Sequence, residues 1–552
     1  MSAFNRFAAA ALLLAGACFL FCCAGVGATR GPSGAAADGR LSPTQPAATS
    51  FGSDATRACP DDGVLRFVLS GLENQARKTG KPMPKVDGQL CSVAGALLES
   101  GRSEVPPESV LNFVSWYFGL PAPASRVIVT SAGTDDVEAI GTSLMEPLSR
   151  FAAISAQPRF GLATVRSDQG RLAGSRQLRV IGTRLALVMQ DGLVDLKPVP
   201  RRVDLKGEVT VSGKLLGNLE KAKVLACSPT GRLERQDVPS GSAFQANLHC
   251  GDRPGFALIE ILAEEKGANV VVASFPIACG VDLPTSVAVQ PPAPPTTDVA
   301  QAERKLFELI NGERESSGVA PLAWHDTAAQ VARGIATETR DQARRGGAMA
   351  AIDPVQRLKQ AGILSSLVLQ NPGQARNTEA AHERFASSAI HRCNYLSPDA
   401  THTGIGVAPG GEKENPTIFV TELFIRELAP LNVESAREKL RAAIAQKRSA
   451  AGVGSIASDP VLEKVAQQYA EELAAAKGNL SNTRANEILL PMHKMFRKVE
   501  VLAGVKGDPL ELAQEPGVLV AGKVFGLGVA QGDHSVVGKN AAYVALLIGS
   551  RR

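Results

Sequence analysis

Apolar residues recur at helical spacing in two runs after Leu306, separated by a glycine and a short apolar stretch, and the arrangement returns twice more along the chain. Twelve residues separate Leu306 from Gly318, and twelve separate Leu440 from Gly452. Thirteen further on lie Val331-Ala332 and Val465-Ala466, and Val68, Gly80 and Val93-Ala94 repeat both intervals. Each copy predicts an amphipathic helix stopped by glycine, a short apolar segment (Leu322 or Ile456) and a second, alanine-rich helix. The copies also end alike. Thr403-Gly404-Ile405-Gly406-Val407-Ala408 matches Phe525-Gly526-Leu527-Gly528-Val529-Ala530 and, more loosely, Phe160-Gly161-Leu162-Ala163-Thr164-Val165. An apolar strand follows each, at Ile418–Leu423, Ala542–Leu547 and Leu185–Val188, so the unit closes on a hairpin whose glycines admit close backbone packing. Three units at 60–195, 300–428 and 434–552 follow from this repeat.

Between about Pro198 and Gly280 the pattern changes to period two. Glu208–Gly213, Lys223–Cys227 and Ala257–Leu262 read as short strands, divided by Ser228-Pro229-Thr230-Gly231, Pro239-Ser240-Gly241 and Gly251-Asp252-Arg253-Pro254-Gly255. That rhythm, with no helical stretch, predicts an immunoglobulin-like β-sandwich over 198–283 that serves as a spacer or adhesive module. Residues 29–58, rich in Ala, Gly, Ser, Thr and Pro, read as a flexible linker, and 284–299, with Pro291-Pro292-Ala293-Pro294-Pro295, as an exposed Pro-rich linker open to proteolysis.

Phe7–Val26 is uncharged and apolar after Arg6, and Val26-Gly27-Ala28 has the form that signal peptidase accepts, so residues 1–28 read as a secretory signal peptide. An uncleaved signal anchor fits the same length. Lipidation at Cys18, a third reading, lacks the preferred aliphatic residue three positions earlier. The chain is placed as secreted, periplasmic or at the cell surface, with contact to a membrane only through such an anchor. Six cysteines lie beyond the leader. Cys59 and Cys91 share one unit, would close a loop of about 30 residues and are expected to pair. Among Cys227, Cys250 and Cys279 at most one pair can form, and isolated Cys393 reads as a buried small hydrophobe.

Composition removes whole classes of function. Charged residues are 20% and hydrophobic residues 44% of 552, so the chain can bury cores. The net charge of +5 comes from 59 basic and 54 acidic residues without long runs of one sign, which argues against nucleic acid as a partner. Aromatics, at 5%, are few for a carbohydrate-stacking surface. The sequence contains no P-loop, GxGxxG turn, GxSxG elbow, HExxH or paired CxxC.

The middle unit carries Asn311-x-Glu313-Arg314, Gly318, Leu322, Trp324, then Ser388-Ala389-Ile390-His391-Arg392-x-Asn394-x-Leu396, then Gly404-x-Gly406-Val407. These four blocks resemble the CAP superfamily, also called SCP or pathogenesis-related-1-like, in its bacterial secreted branch. The first and third units are degenerate CAP-like copies by the repeat argument. The resemblance implies a multidomain α+β chain of α-β-α sandwiches with central clefts. Family members present His and Glu residues in that cleft, and some bind zinc or another divalent ion there.

Carried over residue by residue, the resemblance puts His391 at the histidine of the S-x-x-H-R-x-N block and Gln370-Asn371 at the family's E-N-I block. An amide thus replaces the carboxylate. No histidine lies between Asp341 and Arg357, where the family's first one belongs, and the Trp ahead of the last block is Phe385. One imidazole is short of the three protein ligands of a catalytic zinc, and Gln370 cannot titrate. Gln370, Asn371, Ser388, His391 and Asn394 therefore mark a cleft without an expected metal, cofactor or catalytic group. His325-Asp326, His382-Glu383, Asp533-His534 and the basic residues near Arg344-Arg345 read as solvated surface. The sequence reads as an exported, non-catalytic binding protein whose ligand could be lipid, glycan or protein. The alternatives are a metal-assisted hydrolase of peptide or wall material and a purely architectural surface protein.

Overall fold

The structure, a computed structural model, describes residues 39–552 apart from 53, 55–56, 81–82, 102–103, 122–125, 172–178, 239, 291–292, 297, 347–351 and 413–414. The expected signal peptide lies outside the described residues, as does the start of 29–58.

Three four-stranded sheets share one topology. The first holds β3 (Lys85–Val86), β4 (Arg126–Ala132), β5 (Pro158–Arg171) and β6 (Arg179–Asp191) in the order β3-β5-β6-β4. In the second, β17 (Ala323–Trp324), β18 (Val368–Ala375), β19 (His402–Glu412) and β20 (Asn415–Ile425) stand as β17-β19-β20-β18. The third repeats this with β21 (Ala457–Ser458), β22 (Phe496–Lys506), β23 (Val524–His534) and β24 (Gly538–Arg551), as β21-β23-β24-β22. In each, the two-residue strand runs parallel to the first hairpin strand and every other pairing is antiparallel.

Helices cover both faces of every sheet. In the first unit α1 (Gly63–Thr79) and α4 (Val137–Ile154) meet Leu185, Leu187 and Met189, whereas α2 (Gly88–Glu99) and α3 (Glu108–Tyr117) meet Ala186 and Val188 of the same strand. The alternation of β6 thus feeds two cores. The middle sheet lies between α5 (Val299–Ser316), α8 (Thr378–Ala386) and α9 (Ala389–Leu396) on one face and α6 (Asp326–Arg345) with α7 (Pro354–Gln360) on the other. The third has α10 (Val433–Ala450) opposite α11 (Pro460–Ala475) and α12 (Asn482–Leu489). Each buried Leu or Ile in these layers stabilises by about 1.5–3 kcal/mol. The glycine stops fall where the repeat places them: Gly80, Gly318 and Gly452 end the first helix of each unit at φ of 66°, 67° and 67°, a region that only glycine enters without strain.

Between the first and middle units two sheets face each other. One holds β10 (Glu208–Leu215) between β7 (Val194–Leu196) and β13 (Ala243–His249). The other runs β12 (Leu233–Asp237), β11 (Glu220–Cys227), β14 (Gly255–Glu265), β15 (Ala268–Cys279), β9 (Arg202–Val203). Val209, Val211, Phe244 and Leu248 interleave with Val224, Ile259, Ile261, Phe275 and Ile277 in one core. The chain is a multidomain α+β protein.

Two readings of the linkers need correction. The described part of 29–58 is anchored: β1 (Arg40–Leu41) pairs with β16 (Val287–Ala288), and β2 (Ser50–Phe51) pairs with β8 (Val199–Pro200). Phe51 is fully buried with its ring 4.7 Å from that of Phe275, and Leu41 joins the α2–α3 core. The described part of 284–299 is docked as well. Besides β16, it offers Ala293 O to Asn377 Nδ2 (2.8 Å) and Thr296 Oγ1 to Thr378 Oγ1 (3.0 Å). Composition suggested mobility, but a few apolar side chains with docking partners suffice to fix both segments.

All six cysteines from Cys59 onward are paired. Cys59, ahead of α1, bonds Cys91 of α2, and Cys250 bonds Cys279. Cys393 is not a lone hydrophobe. It bonds Cys227 across 166 residues, joining α9 to β11, and this leaves no odd thiol among Cys227, Cys250 and Cys279.

Candidate functional site

The middle unit gathers polar side chains where its first helix, its α8–α9 pair and its sheet meet. The register of β18 on β20 places Asn371 opposite Glu422, and strand alternation sends both side chains to one face. Asn371 Nδ2 donates to Glu422 Oε2 (2.9 Å) and to His391 O (3.0 Å), while its Oδ1 accepts from Asn394 Nδ2 (2.9 Å). Asn394 Nδ2 also donates to Gln370 O (3.1 Å). From α5, Glu313 Oε1 meets His382 Nε2 at 2.9 Å, and Glu313 Oε2 accepts from the Tyr395 hydroxyl at 2.6 Å.

The environment drives the two carboxyls apart. Burial would raise Glu313, but bonds from His382 and Tyr395, with the Arg392 charge nearby, outweigh it and hold the carboxyl below its usual range. Glu422, fully enclosed, is pushed up to about 7 by burial; Glu313 adds to the rise, and Asn371 and His382 oppose it. Burial and then the Glu313 charge carry Tyr395 well above the ordinary phenol range. Burial, reinforced by Arg384, lowers His391 to about 4, so its imidazole is neutral at pH 7. At pH 7 Glu313 is therefore ionised and Glu422 about half protonated, with the His382 imidazole acting on both, a set able to pass protons. His382 Nδ1, His391 Nδ1 and Glu422 Oε1 are buried without a protein partner.

Of the residues singled out from sequence, Asn371, Asn394 and the main chain of His391 meet in this network. The His391 ring stands edge-on to Phe385, centroids 5.2 Å apart. Gln370 alternates away from Asn371 and contributes only its carbonyl. Ser388 sits at the start of α9 and faces the sandwich instead: its hydroxyl lies 3.2 Å from both carboxyl oxygens of Glu260 on β14. His382, taken as surface from its neighbour Glu383, is only 8% exposed and belongs to the network. Glu313 entered only as part of a motif block and Glu422 only as part of a strand, neither as a site residue, and Tyr395 not at all. Glu422 had a visible signal, as a lone charge within the apolar run Ile418–Ile425.

Among the described residues no three His, Cys, Asp or Glu are arranged to hold a metal ion. The nearest approach lies elsewhere in the unit, where Glu427 meets His325 Nε2 (2.9 Å) and His402 Nε2 (3.5 Å). There His325 Nδ1 accepts the Ala328 N–H at 3.2 Å, which places the ring proton on Nε2 and leaves no lone pair facing Glu427. Cavities of about 300 and 440 Å³ occur beside Pro430–Ala436 with Asp508–Leu510 and beside Arg57–Arg66, in the third and first units.

Glu422 makes stability depend on pH. Its folded-state value lies above the ordinary carboxylate value of about 4.5, so the folded state holds that proton more tightly. The stabilisation is complete below about 4.5 and is lost as pH rises through about 7, a swing of about 3 kcal/mol. Glu422→Gln is expected to raise stability at pH 8 by about 2 kcal/mol and to flatten the rise in Tm between pH 8 and pH 6, read by thermal melts.

A profile of the Cysteine-rich secretory protein family, CAP, matches residues 307–424. The uncharacterized protein YkwD of Bacillus subtilis is 29% identical over 122 residues, 21% of this chain and 46% of that protein, so the chain spans about half of that relative's length. Among solved structures, an extracellular SCP-domain protein of Bacillus anthracis shares 18% identity over 32% of this chain and 66% of its own (TM-score 0.21). An outer surface protein of Borrelia burgdorferi shares 18% over 24% and 97% (0.21), and a cysteine-rich secretory protein of Staphylococcus aureus 11% over 42% and 86% (0.20). The sequence match covers residues 307–424, the helix-sheet-helix unit that holds Glu313, His382 and Glu422.

Proposed function

We propose that the chain is an exported, non-catalytic CAP-family binding protein that acts at the cell envelope or outside the cell. In this reading 60–195 and 434–552 are degenerate CAP-like units, supported by their common sheet order, and 198–283 is an immunoglobulin-like module. Export is supported by three disulfides that use every cysteine beyond the leader. The observation that carries the non-catalytic part is the mutual bonding of four cleft side chains: Asn371 with Asn394, and Glu313 with Tyr395, spend these polar atoms on one another. Recognition of a lipid, glycan or protein would then use outer faces of the modules.

Calorimetry with Zn²⁺ on the full chain tests it. The expected result is weak binding that His391→Ala leaves unchanged. A micromolar or tighter site lost in that variant would instead show that ligands are supplied from elsewhere in the fold and would favour the metal-assisted hydrolase reading. Cosedimentation with wall glycan and with phosphatidylglycerol vesicles separates the ligand classes, and retention on neither, with no protein ligand found, would favour the architectural reading.

A further inference from the structure

The face of the middle unit that carries the S-x-x-H-R-x-N block is occupied by another part of the same chain. Cys393 of α9 is bonded to Cys227 of β11. Around that bond, Leu225 and Leu258 of the sandwich pack with Ala389 and Ile390 of the helix. Arg392 Nη1 donates to Phe256 O (3.1 Å), and Ser274 Oγ donates to Ser387 O (2.8 Å). At the centre stands Glu260, 4% exposed. Ser388 makes no capping bond of its own. Glu260 supplies the cap from the other module: its Oε2 accepts the Ile390 N–H at 3.3 Å, and its carboxyl lies beside the Ser388 hydroxyl. Carboxylates at this end of a helix satisfy free N–H groups and meet the positive end of the dipole.

We propose that Glu260 is a proton-operated clamp, through which the sandwich grips the start of α9 more tightly as the medium is acidified, while the Cys227–Cys393 bond keeps the modules together when the grip loosens. Burial is the largest influence on this carboxyl and lifts it to about 7, against bonds from Ile390, Ser388 and Ala389 that favour the charged form. The docked state therefore holds the proton more tightly than the undocked one. Docking is strongest below about 4.5 and weakens as pH climbs through about 7, by a factor on the order of 100. The protonated acid keeps its partners, because the Ser388 hydroxyl can accept from one oxygen as readily as it donates to the other. Across the sheet Glu260 faces Leu225 and Ser274, neither of them charged. Other ionisable groups at the junction are Glu108 with Arg384 (3.9 Å), Glu383 with the Ser109 hydroxyl (2.7 Å), Arg392 with a carbonyl, and Arg253, which lies against Gly318. Behind α9 lies Glu422, and His391 is on α9 itself. What the clamp sets is the position of the helix bearing His391, Asn394 and Tyr395.

Amide exchange at Ile390, corrected for intrinsic rate, reads the clamp in the full chain. In Cys227→Ala/Cys393→Ala, protection at Ile390 is expected to fall 10- to 100-fold from pH 5.5 to pH 8.5, with α6 unchanged as an internal reference. Adding Glu260→Gln, which keeps an acceptor but cannot ionise, should abolish that dependence. Equal protection at both pH values, or a dependence that persists in the Gln variant and so belongs to Glu108 or Glu422, overturns the proposal. If the disulfide-free chain fails to fold, the parent and Glu260→Gln are compared directly. A Tm difference between them that does not change from pH 5.5 to 8.5 overturns it equally.

Discussion

Alanine at Gly406 is expected to abolish the folded state of the middle unit. A Cβ built there lies 2.1 Å from Arg333 N and 2.2 Å from Ala332 C, and one at Gly404 lies 2.2 Å from Ala329 N. These are main-chain atoms of α6, which cannot swing aside, so the helix must leave the sheet. Overpacking against mobile side chains costs about 1–3 kcal/mol, and a clash with a helix backbone should exceed about 4 kcal/mol, a large part of a domain's stability. Gly526 and Gly528 meet α11 in the same manner at 2.0 Å, so the third unit should respond alike. Among the described residues the hairpin of the first unit has only Gly161 in such contact, with Ala163 at the second position. Gly312 is the control: it lies exposed on α5 with nothing within 4 Å, and Gly312→Ala should stabilise by about 0.5–1 kcal/mol through helix propensity. Urea melts followed by circular dichroism compare the three. A Gly406→Ala protein within about 1 kcal/mol of the parent would refute the close-packing account.

Arg314→Met should cost about 3–5 kcal/mol. This guanidinium is fully buried and meets no carboxylate. It donates to four carbonyls, those of Ala320 (2.7 Å), Tyr395 (2.6 Å), Ser397 (3.0 Å) and Ala400 (3.3 Å), and so ties the end of α5 to the segment after α9. Burial lowers it to about 10, so it is charged at neutral pH and its donors hold firm. Methionine fills much of the volume but orphans the carbonyls. Arg314→Lys should not restore them, because a point ammonium cannot span positions that the planar fork reaches. Arg448, one repeat later, bonds Gly454 O, Val518 O and Val520 O. With one carbonyl fewer, Arg448→Met should cost less. Denaturant midpoints give both values, and a loss below about 1 kcal/mol at Arg314 would show that water replaces the side chain.

The repeat was legible because its punctuation is local. A helix that ends at a left-handed glycine and a hairpin that packs on a helix backbone both demand residue types at fixed intervals. The cleft was legible only in part. Asn371 and Asn394 stand inside motif blocks, whereas His382 took its meaning from Glu313, 69 residues upstream, and its sequence neighbour Glu383 points outward to Ser109. Which face of α8 turns inward depends on tertiary packing. Cys393 failed as an isolated residue for the same reason, since spacing says nothing about a partner in another module. Glu260 had no local mark at all. Its alternating strand predicts sides of a sheet, not the helix terminus that docks there.

The Cys227–Cys393 bond also sets how far the molecule can be stretched. A pull through the two termini passes from β11 straight to α9 and bypasses the chain between them. The 166 residues spanned, on the order of 550 Å when fully extended, are withheld from unravelling while that bond holds, the Cys250–Cys279 loop among them. No cysteine follows Cys393, so the third unit can pay out its whole length. Under load the block from Cys227 to Cys393 sits between stretches that can pay out on both sides, 92–226 before it and 394–552 after it.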